Sequence, residues 1–363
     1  MGLDILRAIA ILCVVIIHSS NFMPESFIQI IQYIAFDGVS IFFVLSGFLI
    51  GGILIRTVAQ TQTLNIKQLC TFWLRRWFRT LPNYFLVLVM LCILSYFMVN
   101  QFSIWSVKAY FLFLQNFCTP QASFFPESWS LAIEEWFYLL IPLFIALLIA
   151  LKISPKKSIL IVVISVMAAV TLFRFYRYHT ITVAGFYDWD IWFRKQVVTR
   201  LDSLMFGILG AYCQHYYKEK WLKHKNLLLI IGIFMFLLHK WVITSYTPYD
   251  GLFCTVFSFT YISVATLFLL PFLSEYKSAK GFVAKFFTFI SLISYSIYLL
   301  HITVIHFITY EAMFWNKWLA NSPLLPVCQY IAYWGVTIFC SWLLYRFWEV
   351  KMMNLRDKIR LKR

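Results

Sequence analysis

Arg7 and His18 stand eleven residues apart in an otherwise apolar stretch, LDILRAIAILCVVIIHSS. Eleven residues make close to three turns at about 3.6 residues per turn, so both side chains leave one face of a helix, roughly 16 Å apart along its axis. An imidazole can take a proton from a hydroxyl, and a guanidinium can hold an anion. Ionisable groups at membrane depth are expensive, and they mark functional paths by default. Other tracts carry comparable groups: Ser46 within FFVLSGFLIGG, Glu134 and Glu135 in PESWSLAIEEWFYL, Arg200 and Asp202 in TRLDSLMFG, and His301 closing ISYSIYLLH. A carboxylate beside an imidazole would orient it and stabilise its cation, which is the equipment of general-base catalysis. A separate tract, TFWLRRWFRTLP, gathers Arg75, Arg76 and Arg79 with Trp73 and Trp77. Guanidinium forks hold phosphates bidentately, and a flanking indole can stack on a base.

Plainer readings stand beside each of these. A membrane histidine can simply bond a neighbouring carbonyl, and the reading for His301 is evenly divided. Arg200 and Asp202 serve equally well as a structural ion pair or as pocket groups. One of the paired glutamates could merely favour the positive end of a helix dipole. Ser46 with Gly47, Gly51 and Gly52 has the small-residue character of a close-packing stripe. The arginine tract also satisfies the rule that cytoplasmic loops are positive, as lysines would.

The elements that must position these groups are membrane helices. Of the 363 residues, 62% are hydrophobic and 13% charged, and the mean hydropathy is +0.78. That composition excludes an ordinary soluble domain and points to an all-α polytopic membrane protein. Aromatic residues reach 20% and many fall near the ends of apolar runs, as interfacial belts do. Stretches long enough to span occur at 5–23, 36–55, 80–99, 132–151, 158–175, 196–216, 226–244, 252–273, 287–308 and 324–347, which makes about ten helices. The segment 104–117, with Lys108, is expected to be a re-entrant or interfacial helix. The first apolar run has no small-x-small cleavage site before Pro24 and is expected to be a retained span.

Charge then sets the orientation. With the N-terminus cytoplasmic, that side holds 23 of the 31 Lys and Arg, the opposite loops hold seven, namely Lys108, Arg174, Arg177, Arg194, Lys195, Lys240 and Lys317, and Arg200 lies just inside the sixth span. This asymmetry supports an N-in, C-in topology, although four of the seven crowd the single stretch 174–195. The net charge of +16 follows topology, and no basic domain lies outside the membrane, so nucleic acid is not expected as a partner. The eight cysteines form no CxxC pair and no zinc-like Cys/His spacing, so neither a metal nor structural disulfides are expected. One membrane domain, 1–350, with a short basic cytoplasmic tail, 351–363, accounts for the chain, and the tail suits an anionic membrane surface. In this frame His18, Ser46, Glu134, Glu135, Arg200, Asp202 and His301 are expected at one level, from five helices.

Six tracts in order, Arg7 with His18, FFVLSGFL, RRWFRTLP, ESWSLAIEEWFY, RLDSLMFG and SYSIYLLH, resemble the acyltransferase-3 family of integral membrane O-acyltransferases. The resemblance runs from LDILRAIAILCVVIIH to the FWE at Phe347 to Glu349. It implies transfer of an acyl group, often acetyl, from cytoplasmic acyl-CoA to a hydroxyl of a carbohydrate or other acceptor. By the same resemblance, His18 takes the place of the essential imidazole and Arg7 that of its helix partner. The RRWFR arginines belong to the donor side, and Ser128, Trp129, Ser130, Glu134 and Glu135 match the family's acidic motif. Acyl-CoA is then a substrate, with no permanently bound cofactor. The implied acceptor is an extracytoplasmic glycan or lipid-linked sugar, and the implied location is a bacterial cytoplasmic membrane.

Two departures stand out: the chain starts only two residues before the first motif, which leaves a longer start open, and Trp136 follows the glutamates where Gln is common. A stand-alone member without a soluble domain is expected to act directly or to hand its acyl group to a separate soluble transferase. The expected mechanism has His18 as general base with Glu134 or Glu135 orienting it, and an acyl-histidine relay as the alternative. The competing class is a transporter or flippase of an acylated or anionic glycan or lipid, which needs polar groups at the same depth. Internal repeats are a common sign of that class, and none is seen.

Overall fold

The computed structural model describes residues 1–20, 28, 30–31, 34–98, 102–278, 280–306, 322 and 324–358. Pro24, Lys317, residues 21–23 of the first expected span, residue 99 of the third, residues 307–308 of the ninth and residues 359–363 of the tail lie outside the described residues. Among the described residues ten long helices carry the fold: α1 (Gly2–Ser19), α2 (Gly38–Thr61), α3 (Ile66–Met98), α4 (Ser128–Ala150) and α5 (Pro155–Thr180) come first. They are followed by α6 (Val197–Tyr216), α7 (Lys225–Tyr246), α8 (Phe253–Glu275), α9 (Phe282–Leu300) and α10 (Leu325–Lys358). Among the described residues, nine of these are long and apolar enough to cross a membrane, and no strand is present. The tenth, α6, carries Arg200 and Asp202 at its start and is packed inside the bundle. The protein is an all-α polytopic membrane protein.

Helix ends record the expected crossing parity. The N–H of Gly2 donates to the Tyr276 carbonyl at 2.8 Å, and Thr288 touches Met1, so the starts of α1 and α9 and the end of α8 share one face. The last stretch of α10 packs on α3 and brings Arg356 near Arg76, which shares a cavity with Arg7, so the chain returns toward the end of the bundle where α1 starts. Continuation of α10 through Lys358 means that the helix crosses the expected 350/351 boundary without a break. The segment 104–117 differs from the expected helix. It forms a 3-10 turn, Ile104–Val107, and one helical turn, Lys108–Phe111, and the chain then runs without regular structure to α4. Its backbone is stitched down where polar groups would otherwise be orphaned: the carbonyls of Asn116 and Phe117 accept the N–H groups of Val197 and Val198 at 3.0 and 3.2 Å, and the buried Asn116 side chain donates to the carbonyls of Trp129 and Lys195 at 2.9 and 2.6 Å.

Two helix starts differ from expectation in a way that matters for the site. Helix α3 begins at Ile66, about four turns before residue 80, so RRWFR lies inside a continuous helix. Helix α4 begins at Ser128, so Glu134 sits six residues, roughly 9 Å, down from the helix start. Hydropathy places a helix edge where charge begins, but helical hydrogen bonding continues through charged residues when packing holds them. Pro82 and Pro142 lie within α3 and α4, where neighbouring helices can satisfy the freed carbonyls.

Helices α2 and α6 approach most closely at glycine. A Cβ on Gly47 would lie 2.0 Å from the Leu204 carbonyl oxygen, and one on Gly207 would lie 2.1 Å from that of Val44. Without a strong hydrophobic drive between helices in lipid, such backbone contact supplies dispersion over a long seam. This seam fixes Ser46 beside the bundle's interior. At the other end of α2, Asp37 caps the helix through the Ser40 N–H (3.3 Å) and hydroxyl (2.6 Å). Burial would raise the Asp37 carboxyl, but the Arg194 and Arg200 cations outweigh it and hold the group below its ordinary range.

Candidate active site

Helices α1, α2, α3, α4 and α9 enclose a cavity of about 130 Å³. Arg7, Arg76 and Arg79 line it together with Ser46, Thr80, Ser130, Glu134, Tyr138 and Tyr298. The helical period explains the grouping: Arg76 and Arg79 are three apart on α3, and Glu134 and Tyr138 four apart on α4, so each pair shares a face. Tyr138 Oη donates to Glu134 Oε2 at 3.0 Å. Its single proton being used, the 3.0 Å contact with Ser46 has the Ser46 hydroxyl as donor. The result is a chain from Ser46 through Tyr138 to the Glu134 carboxylate. Arg7 Nη1 lies 3.6 Å from Asp4 Oδ1 and donates to Ser291 Oγ at 3.3 Å, and Ser291 in turn donates to Asp4 at 3.2 Å. Three guanidiniums facing one carboxylate make the cavity a place for an anion.

Nearer the opposite face, at the ends of α1 and α9, stand the two histidines. Their ring centroids are 5.2 Å apart, with His18 half-buried and His301 buried. His301 Nδ1 lies 2.8 Å from the Tyr298 carbonyl, which can only accept, so Nδ1 carries the proton and Nε2 is the basic nitrogen of the neutral ring. Tyr298 connects this pair to the cavity, since its ring lines the cavity and lies 5.6 Å from the His301 ring. Its hydroxyl accepts from Ser130 at 2.7 Å and donates to the Glu127 carbonyl at 3.0 Å. The buried Glu127 carboxylate accepts the Thr303 N–H at 3.1 Å and the Thr303 hydroxyl at 2.6 Å. Burial nonetheless pushes that carboxyl up to about 7.

Several expectations are corrected by this geometry. The groups expected at one level do not share it: Ser46 and Glu134 line the cavity with Arg7, Arg76 and Arg79, whereas His18 and His301 stand beyond it. The glutamates expected to orient His18 have partners elsewhere: Glu134 accepts from Tyr138 at 3.0 Å and Glu135 from Thr80 at 2.7 Å, while the His18 ring lies 5.2 Å from that of His301. The reason is the early start of α4, which carries both glutamates almost two turns down from its outer end. Arg75 is exposed and lies outside the cavity, whereas Arg76 and Arg79 line it, because only the latter two share the inward face of α3.

Arg200 and Asp202 also lie outside the cavity, which favours their structural reading. Asp202 pairs with the buried Arg174 at 2.7 Å. Arg200 donates to Ser40 at 2.6 Å and sits over the rings of Phe259 and Phe43 at 4.3 and 5.4 Å. Of the acidic motif, Ser130 reaches the cavity. Ser128 donates to the Phe125 carbonyl at 2.7 Å, and Trp129 packs edge-on against Phe43 under the Arg194 guanidinium. Among the described residues, no three His, Cys, Asp or Glu side chains gather as metal ligands would.

Residue-type reasoning passed over Thr80, Glu127, Tyr138 and Tyr298. All four lie inside tracts singled out in the sequence, RRWFRTLP, ESWSLAIEEWFY and SYSIYLLH. The available signal was position: Tyr138 follows Glu134 by four residues and Tyr298 precedes His301 by three, so each shares a helix face with a titratable group.

The family model described as "Acyltransferase domain" (Acyl_transf_3) matches residues 2–346. The chain belongs to the acyltransferase-3 family. Among curated relatives, a Staphylococcus aureus (strain MRSA252) protein provisionally named an O-acetyltransferase is 28% identical over 98% of this chain and 59% of its own length. The peptidoglycan O-acetyltransferase OatA of Listeria monocytogenes is 29% identical over 84% of this chain and 49% of its own. The O-acetyltransferase OatA of S. aureus (strain NCTC 8325) is 29% identical over 96% and 56%. This acyltransferase-3 chain therefore spans about half to three-fifths of the length of the curated relatives it matches. No solved structure matches it.

Proposed function

We propose that this acyltransferase-3 protein transfers an acetyl group from cytoplasmic acyl-CoA to a hydroxyl of a carbohydrate on the far side of a bacterial cytoplasmic membrane. The observation that carries the reading is the three-arginine cavity, with one aromatic side chain, Tyr298, between it and the paired imidazoles. Arg7, Arg76 and Arg79 hold the donor's phosphates, and the stacked indoles of Trp73 and Trp77, 6.1 Å apart, flank them on α3 as a platform for the base. The pantetheine arm runs inward along α1, where Arg7 and His18 are roughly 16 Å apart, and presents its thioester near the histidines.

His18 takes the proton of the acceptor hydroxyl as that oxygen bonds to the acyl carbon. The carbon–sulfur bond breaks, and the leaving thiolate recovers a proton from the imidazolium, giving the ester, CoA thiol and a neutral imidazole. His301, held as the Nδ1–H tautomer, takes the proton from His18 at Nε2 while the tetrahedral intermediate persists and returns it to His18 before the thiolate leaves. Support for a glycan acceptor comes from the peptidoglycan named for the Listeria relative. A lipid-linked sugar on that same face, or a separate soluble transferase that receives the acyl group, is compatible with the same donor chemistry. Mass spectrometry of envelope glycans from cells with and without the gene tests the reading. Loss of about 42 Da per modified sugar, the mass of one acetyl group, is expected without it, and identical glycan masses would refute it.

A further inference from the structure

Helix α9 ends at Leu300, and a new helical turn, Thr303–His306, begins three residues later, so His301 sits in the break. A break inside a bundle exposes N–H groups at the restart and carbonyls at the end, and something must satisfy them. Glu127 does this from the start of α4. Both oxygens of its buried carboxylate are occupied by Thr303, one by the N–H at 3.1 Å and one by the hydroxyl at 2.6 Å. Its backbone carbonyl accepts the hydroxyl of Tyr298, one turn before His301, at 3.0 Å. The Tyr298 carbonyl in turn takes the His301 Nδ1–H at 2.8 Å. One residue therefore grips the chain on both sides of His301, two residues after it and three before it, and the ring so held faces His18 with centroids 5.2 Å apart.

We infer that Glu127 is a positioning residue, whose carboxylate clamps the α9 break at Thr303 and so holds the His301 imidazole against His18 for proton transfer. The inference rests on the proposed acyl transfer, in which His18 and His301 share the acceptor's proton. Glu127 touches neither substrate nor proton in this role. Its carboxylate is needed for geometry, and a side chain of the same shape that keeps both contacts should replace it. Glutamine can do so, with Oε1 accepting the Thr303 N–H and Nε2 donating to the Thr303 oxygen. Alanine cannot.

The test uses membranes from cells expressing the full chain, which supply the natural acceptor, and radiolabelled acetyl-CoA as donor, with rates normalised to folded protein. For E127A, a displaced imidazole should lower maximal turnover about 100-fold with an unchanged acetyl-CoA KM, because the arginines that hold the donor lie on other elements. E127Q should stay within about threefold of the starting chain. T303V keeps the N–H and loses the hydroxyl, and should lower turnover about tenfold with KM again unchanged. It also serves where E127A fails to accumulate. Full turnover in E127A or T303V, a loss that E127Q does not restore, or an effect falling on KM would overturn the inference. Two controls separate the levels: no acetyl transfer by the unaltered chain would sink the proposed function, normal transfer by H18A would sink the proton route through His18 and the positioning role with it, and inactive H18A beside fully active E127A would sink the positioning role alone.

Discussion

Replacing arginines on α3 one at a time separates a donor site from a topological signal, because the helix divides three neighbouring arginines between two environments. Arg76 is half-buried and lines the cavity, Arg79 lines it from an exposed position, and Arg75 is exposed outside it. All three count equally toward the positive-inside signal, so that role gives no reason for their variants to differ. A charge-assisted hydrogen bond to phosphate contributes about 1.5–3 kcal/mol. At about 1.4 kcal/mol per tenfold, R76Q should weaken acetyl-CoA binding by roughly 10- to 100-fold. R79Q should fall at the lower end of that range, because water competes at its exposed position. R75Q should stay within about threefold. Isothermal titration of acetyl-CoA into the full chain in detergent reads all three directly, and R76K adds a control that keeps the charge and loses the fork. Equal losses in R75Q and R76Q, or unchanged affinity in R76Q, would refute a donor site at these arginines.

Three further outcomes follow from the same contacts. Y138F removes the link between Ser46 and the Glu134 carboxylate, a hydrogen bond to a charged group contributing about 1.5–3 kcal/mol. Turnover of acetyl-CoA should drop about tenfold or more, and an unchanged rate would show that the chain has no part in the reaction. G47A should fail to yield a monodisperse protein in gel filtration, since its new methyl would meet the Leu204 carbonyl at 2.0 Å. G52A should behave normally, because its nearest neighbour is the Arg56 guanidinium at 3.6 Å. Burial holds the folded Glu127 carboxyl at about 7, against an ordinary 4.5. Its contribution to stability is therefore fully present below pH 4.5 and lost as pH rises through 7, by about 3 kcal/mol at about 1.36 kcal/mol per unit. Thermal unfolding in detergent should show E127Q gaining on the starting chain between pH 5 and pH 7.5, and parallel curves would contradict it.

The helices were legible because their signal is crude: a bilayer demands about 20 apolar residues per crossing, and each of the ten expected stretches overlaps a helix, nine of them long and apolar enough to cross among the described residues. Their ends were less legible. Hydropathy starts α3 near residue 80 and α4 near 132, but the hydrogen-bonded helices start at Ile66 and Ser128. Those few turns decide which groups meet. They lower Glu134 into the cavity beside Tyr138 and away from His18. The pairing of His18 with His301 joins residues 283 positions apart, and no local period reports it. Arg200 and Asp202 announced themselves as charges in a span but not as members of separate contacts with Ser40 and Arg174, which only the packed bundle reveals. Glu127 was the least visible of all, an acidic residue just before a helix, where a cap on its own helix is the ordinary reading and a clamp on another is not.

Transfer of radiolabelled acetyl from acetyl-CoA by membranes containing the H18A chain, compared with the unaltered chain at equal folded protein, bears most directly on His18 as general base. Loss of a positioned general base removes about 10²–10⁴-fold in rate. Label incorporation into the envelope fraction should therefore fall at least 100-fold, while acetyl-CoA binding, proposed for Arg7, Arg76 and Arg79, should stay intact. Incorporation at the unaltered rate would contradict the mechanism at its centre.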